Sequence, residues 1–229
     1  MAGLSFTGAI SMTGALAASA PPIVVPLTVG QEYGGGYYAG DISVTGNGVA
    51  THRLILAPRA TGLNTSLQLK VVHTTTENTS SRIDGPTNSA NMNNGTHPAA
   101  QFCEALTIGG YTDWYLPAVD ELEICYYNLK PTTYANSYGS GSNAYSVPAR
   151  ASNYSSDTIP GQTSLAAFQS GGSESFITGV NANRYWSSTQ WANFTGYEES
   201  YRIQFDDGSS NRVIKNVVFN VRAVRRVAI

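Results

Sequence analysis

Few residues in this chain have the types and spacings that carry out covalent chemistry. The histidines His52, His73 and His97 are scattered, and none stands beside a serine or cysteine in a nucleophile motif. His97 falls at a helix start, and without partners all three read as structural. The adjacent carboxylates Asp120–Glu121 and Glu198–Glu199 have the composition of a glycosidase acid pair. A helix start accounts for the first pair and a solvated loop for the second. Asp206–Asp207 precedes Gly208, where turn chemistry explains both. Cys103 and Cys125 are too few for a zinc site or a disulfide framework. Both lie on helical patterns as buried thiols, with a single disulfide between them left open. No phosphate-cradling loop or dinucleotide fingerprint occurs. No catalytic residue, metal or cofactor is expected.

The chemistry on offer is non-covalent. Trp191, Asn193, Phe194 and Tyr197 follow a strand pattern, among small polar residues, and Tyr134, Tyr138, Tyr145 and Tyr154 lie in a long stretch without periodicity. Rings presented on polar loops stack on sugar faces or anchor protein contacts, and leaving their apolar area wet is costly. These eight residues are the ligand-binding candidates. Hydrophobic residues make up 41% of the 229, and charged residues only 12%, about half the usual share. Gly (23) and Tyr (14) help fill the deficit, a composition suited to charge-free contacts. A net charge of -2 gives no electrostatic reason to expect nucleic acid or an anionic membrane. No apolar run approaches the ~20 residues of a membrane span, so no insertion is expected.

The elements that must position these residues follow from periodicity. Residues 1–27 are small, apolar and proline-terminated. Ala15–Ala20 resembles a signal cleavage region, but no Lys or Arg precedes Arg53 and glycines interrupt the segment. An extended docking arm is the expectation. Residues 28–95 read as β-rich: strands around Gly36–Ile42 and Thr51–Ala57 flank the hairpin signal Gly46-Asn47-Gly48, with another at Leu67–His73. Residues 96–229 begin with two helices. Thr96 is the expected cap of the first; the second follows Pro117, with Asp120, Glu121 and Glu123 at the positive end of its dipole. Three strand runs close the chain, Arg184–Trp191, Ser200–Phe205 and Val217–Val227, with a hairpin expected between the last two at Asp206-Asp207-Gly208. Arg222 in the last run would need a carboxylate partner if buried. The expected clamp pairs Glu121 or Asp120 with Arg222 or Arg225, tying the second helix to the final strand.

Trp114-Tyr115-Leu116-Pro117-Ala118-Val119-Asp120-Glu121-Leu122, Tyr185-Trp186-Ser187-Ser188-Thr189 and Val221-Arg222-Ala223-Val224-Arg225 form an ordered set of motifs. The set resembles a family of C-type-lectin-like domains found at the ends of collagen-like bacterial adhesins and in tailed-phage virion proteins. The resemblance spans about residues 97–229. It implies an α+β fold, two helices on a small antiparallel sheet with a long loop excursion. Calcium-dependent sugar-binding members carry Glu-Pro-Asn or Gln-Pro-Asp and Trp-Asn-Asp; neither occurs here, so sugar binding through that calcium is not expected. The expected function is that of a non-enzymatic virion protein, a tail fibre or capsid decoration. It would attach to other virion proteins through residues 1–27, form a homo-oligomer, with a trimer favoured, and touch a host-surface glycan or protein. A bacterial surface adhesin domain is the alternative, with a glycan hydrolase third.

Overall fold

The computed structural model describes residues 26–180, 182–191 and 199–229. All but the last two residues of the expected docking arm lie outside them. Among the described residues are ten strands in two sheets. The first sheet runs β1 (Glu32–Tyr33), β2 (Gly36–Ile42), β3 (His52–Leu56) and, from the far end of the chain, β10 (Val224–Ala228), with β5 (Ser146–Val147) also on β2. The second runs β4 (Leu63–Gln68), β9 (Val218–Arg222), β6 (Arg184–Trp191), β7 (Glu199–Gln204) and β8 (Ser210–Ile214). Four short helices complete it: α1 (Arg59–Gly62), α2 (Gly85–Asn91), α3 (Pro98–Glu104) and α4 (Val119–Leu129).

The expected fold, two helices on one small antiparallel sheet, is therefore wrong. The molecule is mostly β, and the reason lies in its last run. Val217–Val227 reads as one strand but is two: β9 belongs to one sheet and β10 to the other, and buried Ala223 is the joint. Its N–H donates to Gly62 O (3.0 Å) and its carbonyl accepts from Ala57 N–H (3.0 Å). Strands from residues 28–95 enter both sheets, because β3 pairs with β10 and β4 with β9.

The Gly46–Gly48 turn joins β2 to β3 as expected. The Asp206–Gly208 turn forms too, with Gly208 at φ 73, but the strand after it is Ser210–Ile214. That polar segment gives no alternating signal, so the partner was misplaced. The strand expected at Leu67–His73 lies earlier, at β4, because the N–H groups of Leu69 and Lys70 both turn to Lys215 O.

Packing buries both faces of the central strands β3 and β6. Leu54 and Leu56 of β3 and Tyr185 of β6 enter a core formed with Leu122, Cys125, Tyr126 and Leu129 of α4. Ile55 and Trp186, on the opposite faces, enter a second core with Ala99, Ala100 and Cys103 of α3 and with Trp114 and Leu116. The two cysteines thus sit in different cores, both as buried free thiols.

The amino end of α4 is closed by side chains drawn from across the sequence. Glu121 reaches back to Ala118 N–H (2.8 Å), Thr189 Oγ1 accepts from Val119 N–H (2.9 Å), and Arg82 O accepts from Asp120 N–H (2.9 Å). Tyr115 exchanges backbone hydrogen bonds with Val224, and Ser188 N–H donates to Pro117 O. The three sequence motifs therefore meet one another, and they make the frame of the molecule.

Thr96 does not cap α3; His97 holds that position, without a side-chain cap. Its buried ring, protonated at Nδ1, donates to Asn94 Oδ1 (2.8 Å) and accepts from the Thr76 hydroxyl at Nε2 (2.8 Å). Burial, aided by the charges of Lys70 and Lys215, lowers this imidazole from 6.5 to about 4. The unfolded chain then binds the proton first as pH falls. Stability present above pH 6.5 is lost progressively toward pH 4 and is level below it. Burial raises the carboxyls of Asp120, Glu121 and Glu123, which act with the opposite sign. The check is therefore a difference. In urea melts, the stability of the native protein relative to a His97→Asn variant should fall between pH 7 and pH 4. Parallel pH profiles would contradict this assignment.

Candidate functional site

Residues 130–163 contain no helix and only one two-residue strand, yet they are held firmly by buried amides. Asn136 Oδ1 accepts from Tyr126 Oη (2.7 Å) and Lys130 Nζ (2.8 Å), and its Nδ2 faces the carbonyls of Ser156, Asp157 and Pro160 at 3.0–3.1 Å. Asn143 Nδ2 donates to Asp120 O (2.8 Å) and Glu123 Oε2 (2.7 Å), while its Oδ1 accepts from Tyr145 and Ser146 N–H. Glu123 also accepts from Tyr154 Oη (2.6 Å) and pairs with Arg150. A segment that looks like a loose excursion in the sequence is thus a second, polar core.

Two hollows lie along this segment. A cleft of about 190 Å³ is lined by Arg82, Asp120 and Glu123, by residues 139–142, and by Asn153, Tyr201 and Ser210. Asn153 also lines a hollow of about 300 Å³ with Tyr127, residues 150–155 and Ile159. A third, of about 460 Å³, lies apart at the sheet edge between Glu32 and Tyr37, with Pro58.

Beside the cleft, one face of β6–β7–β8 carries a ladder of rings and guanidinium groups. Trp191, Glu199 and Ile214 form one cross-strand row, and Tyr201 with Arg212 the next. Arg212 lies over the Trp191 ring at 4.2 Å, Trp191 meets Tyr201 edge to face at 6.1 Å, and Arg82 lies over Tyr201 at 5.2 Å.

A pair of buried carboxylates in a cleft, both raised by burial, has the outline of an acid–base site. Here every oxygen is already engaged. Asp120 takes Arg82 in a fork at 2.6 and 3.1 Å, and Glu123 is filled by Tyr154, Asn143 and Arg150. Their arginines pull each pKa back down, but burial wins. Glu123 clasps the loop to α4, and Asp120 ties the same helix to Arg82. Among the described residues, no three His, Cys, Asp or Glu side chains gather closely enough to hold a metal, and no helix is long and apolar enough to cross a membrane.

The aromatic candidates divide. Tyr134 (60% exposed), Tyr138 (56%) and Trp191 (37%) face solvent. Tyr138 is braced by Asp157 (2.5 Å) and directly precedes the cleft wall. Tyr154 is buried and Tyr145 packs half-buried against the core, so neither ring is presented. Asn193, Phe194 and Tyr197 lie outside the described residues.

The expected clamp is corrected in its partners. Arg222 pairs with Glu174 (2.8 Å), and Arg225 with Asp113 (2.7 Å). Asp120 takes Arg82, and Glu121 takes Arg226 (2.6 Å). The helix is tied to the last strand, but through Arg226, because the kink at Ala223 carries Arg222 into the other sheet. Arg82, Arg150, Glu174, Tyr201 and Arg212 escaped sequence reasoning, since only folding brings them to their partners. No protein-family model, curated protein or solved structure matches the chain.

Proposed function

We propose that this chain is a non-enzymatic virion component of a tailed phage. Residues 1–27 attach it to other virion proteins, as a homo-oligomer with a trimer favoured, and its body displays a recognition surface for a host-cell glycan or protein. The observation that carries the recognition reading is the contrast between a rigid frame and its rim. Buried amides fix residues 130–163 while Tyr134, Tyr138 and Trp191 stay exposed. Rigid aromatic anchors on a prepaid frame lose little entropy on binding, which favours affinity. The virion attribution rests on the resemblance carried by the Trp114–Leu122, Tyr185–Thr189 and Val221–Arg225 motifs. In this fold those motifs build the frame, so they speak for its ancestry more than for its ligand.

Two measurements test the reading. The chain should be found by mass spectrometry in purified particles, and soluble protein should compete with particles for adsorption to susceptible cells. A Trp191→Ala variant should need about tenfold more protein, or beyond, for the same competition, as expected of an aromatic hot spot. Absence from particles, or competition indifferent to Trp191 and Tyr138, would overturn it.

A further inference from the structure

We propose that the ladder beside the cleft binds a carboxylate-bearing sugar, with Arg212 taking the carboxylate and Trp191 the ring; this inference rests on the recognition reading above. The first ground is the state of Arg212. It is exposed on β8, directly opposite Tyr201, with its guanidinium over the Trp191 ring at 4.2 Å. Stacking holds the group in place without using its N–H donors, which lie in the guanidinium plane. Among the described residues Arg212 joins no ion pair, and no carboxylate holds its fork. Such a fork matches a carboxylate in a bidentate grip.

The second ground is the contrast with Arg82 at the other end of the same ladder. That guanidinium also lies over a ring, Tyr201, but Asp120 holds it in a fork, so its charge is spent within the protein. The ladder thus offers one cation for a ligand. Glu199, in the Trp191 row, sits beside it and disfavours a second anionic group nearby.

The third ground is the surrounding chemistry. The exposed part of Trp191 provides apolar area for the face of a sugar ring. Next to Tyr201, the cleft adds Ser142, Asn153 and Ser210, groups that meet sugar hydroxyls. The whole chain carries a net charge of -2 and only 13 Lys and Arg. Overall repulsion therefore argues against a densely charged polyanion such as a sulfated chain or nucleic acid. A polysaccharide with a sparse acid, one uronate or similar residue in each repeat, satisfies both the single cation and the overall charge.

The test uses the full chain and a panel of uronate-containing bacterial capsule polysaccharides, each paired with its carboxyl-reduced form. The expected result is binding of at least one acidic polymer, about fivefold or more weakened by carboxyl reduction. Arg212→Gln should abolish that difference while melting as the native protein does. Trp191→Ala should weaken acidic and reduced forms alike. With a single charge contact, affinity should fall only about threefold between 50 and 200 mM salt. Equal binding of acidic and reduced forms, or an Arg212→Gln variant that still discriminates, would overturn the assignment while leaving the recognition reading intact. So would binding of no polymer with Trp191-dependent, protease-sensitive adsorption to cells, which would mark a protein receptor. Failure to bind either polymers or cells would overturn both.

Discussion

Replacing Arg222 by alanine should lower the melting temperature by on the order of 10 °C, the largest stability effect expected of any single change here. The guanidinium is fully buried, donates to Ala57 O (2.9 Å), Glu174 O (2.6 Å) and Glu174 Oε2 (2.8 Å), and lies 5.1 Å over the Phe176 ring. It therefore fastens β9 to the β3–α1 link and to the chain around Glu174. Removing one partner of a buried pair costs about 3–5 kcal/mol, because the other charge is left without compensation. In a domain of this size, each kcal/mol shifts the midpoint by roughly 2–4 °C. Glu174 would keep the Arg59 N–H (2.7 Å) and the Tyr37 hydroxyl, neither of which carries a compensating charge. Replacing both members, Arg222→Met with Glu174→Gln, should recover more than half of the loss, since the cost lies mainly in the orphaned charge. Calorimetry of the three proteins decides this. A loss within 1 kcal/mol for Arg222→Ala would mean that solvent reaches the site.

The second large effect is local. Glu123→Ala should release the loop from α4 and leave the sheets standing. Glu123 is where Arg150, Tyr154 and Asn143 converge, and among the described residues no other carboxylate bonds to them. The reporters are the amides whose bonds stay inside the loop: Asn143 N–H to Arg150 O (2.7 Å), Arg150 N–H to Asn143 O (2.9 Å) and Tyr154 N–H to Ser140 O (2.7 Å). Losing about 3 kcal/mol of local stability should speed their hydrogen exchange by roughly two orders of magnitude, with amides of β3 and β6 much less affected. Uniform acceleration through the whole molecule would instead show that loop and frame unfold as one unit.

What could be read in advance follows from what each element depends on. Strands β2 and β3 and helices α3 and α4 carry local signals: alternation, a glycine turn, and a proline before the first helical turn. They formed near where those signals placed them. The sheet switch at Ala223 left no mark, because a strand buried on both faces reads the same whichever sheet it enters. The polar core of residues 130–163 was equally silent. Asn136 and Asn143 look like loop amides until folding brings Lys130, Tyr126 and Glu123 against them. Arg222 was correctly expected to need a carboxylate, but the sequence contains 15 Asp and Glu, and topology chose Glu174. Of the exposed aromatic rim, Tyr134, Tyr138 and Trp191 were legible from composition, whereas Tyr154 was not separable from them until its hydroxyl met Glu123.

That a preset frame presents its rim for recognition can be tested by hydrogen-exchange footprinting against polysaccharide extracted from the surface of susceptible cells. Protection should be confined to residues 134–142, 153–159, 190–191 and 199–214, with amides of β2, β3 and β10 unchanged. Protection centred on the groove between Glu32 and Pro58, or progressive shortening of the polysaccharide on incubation, would contradict it.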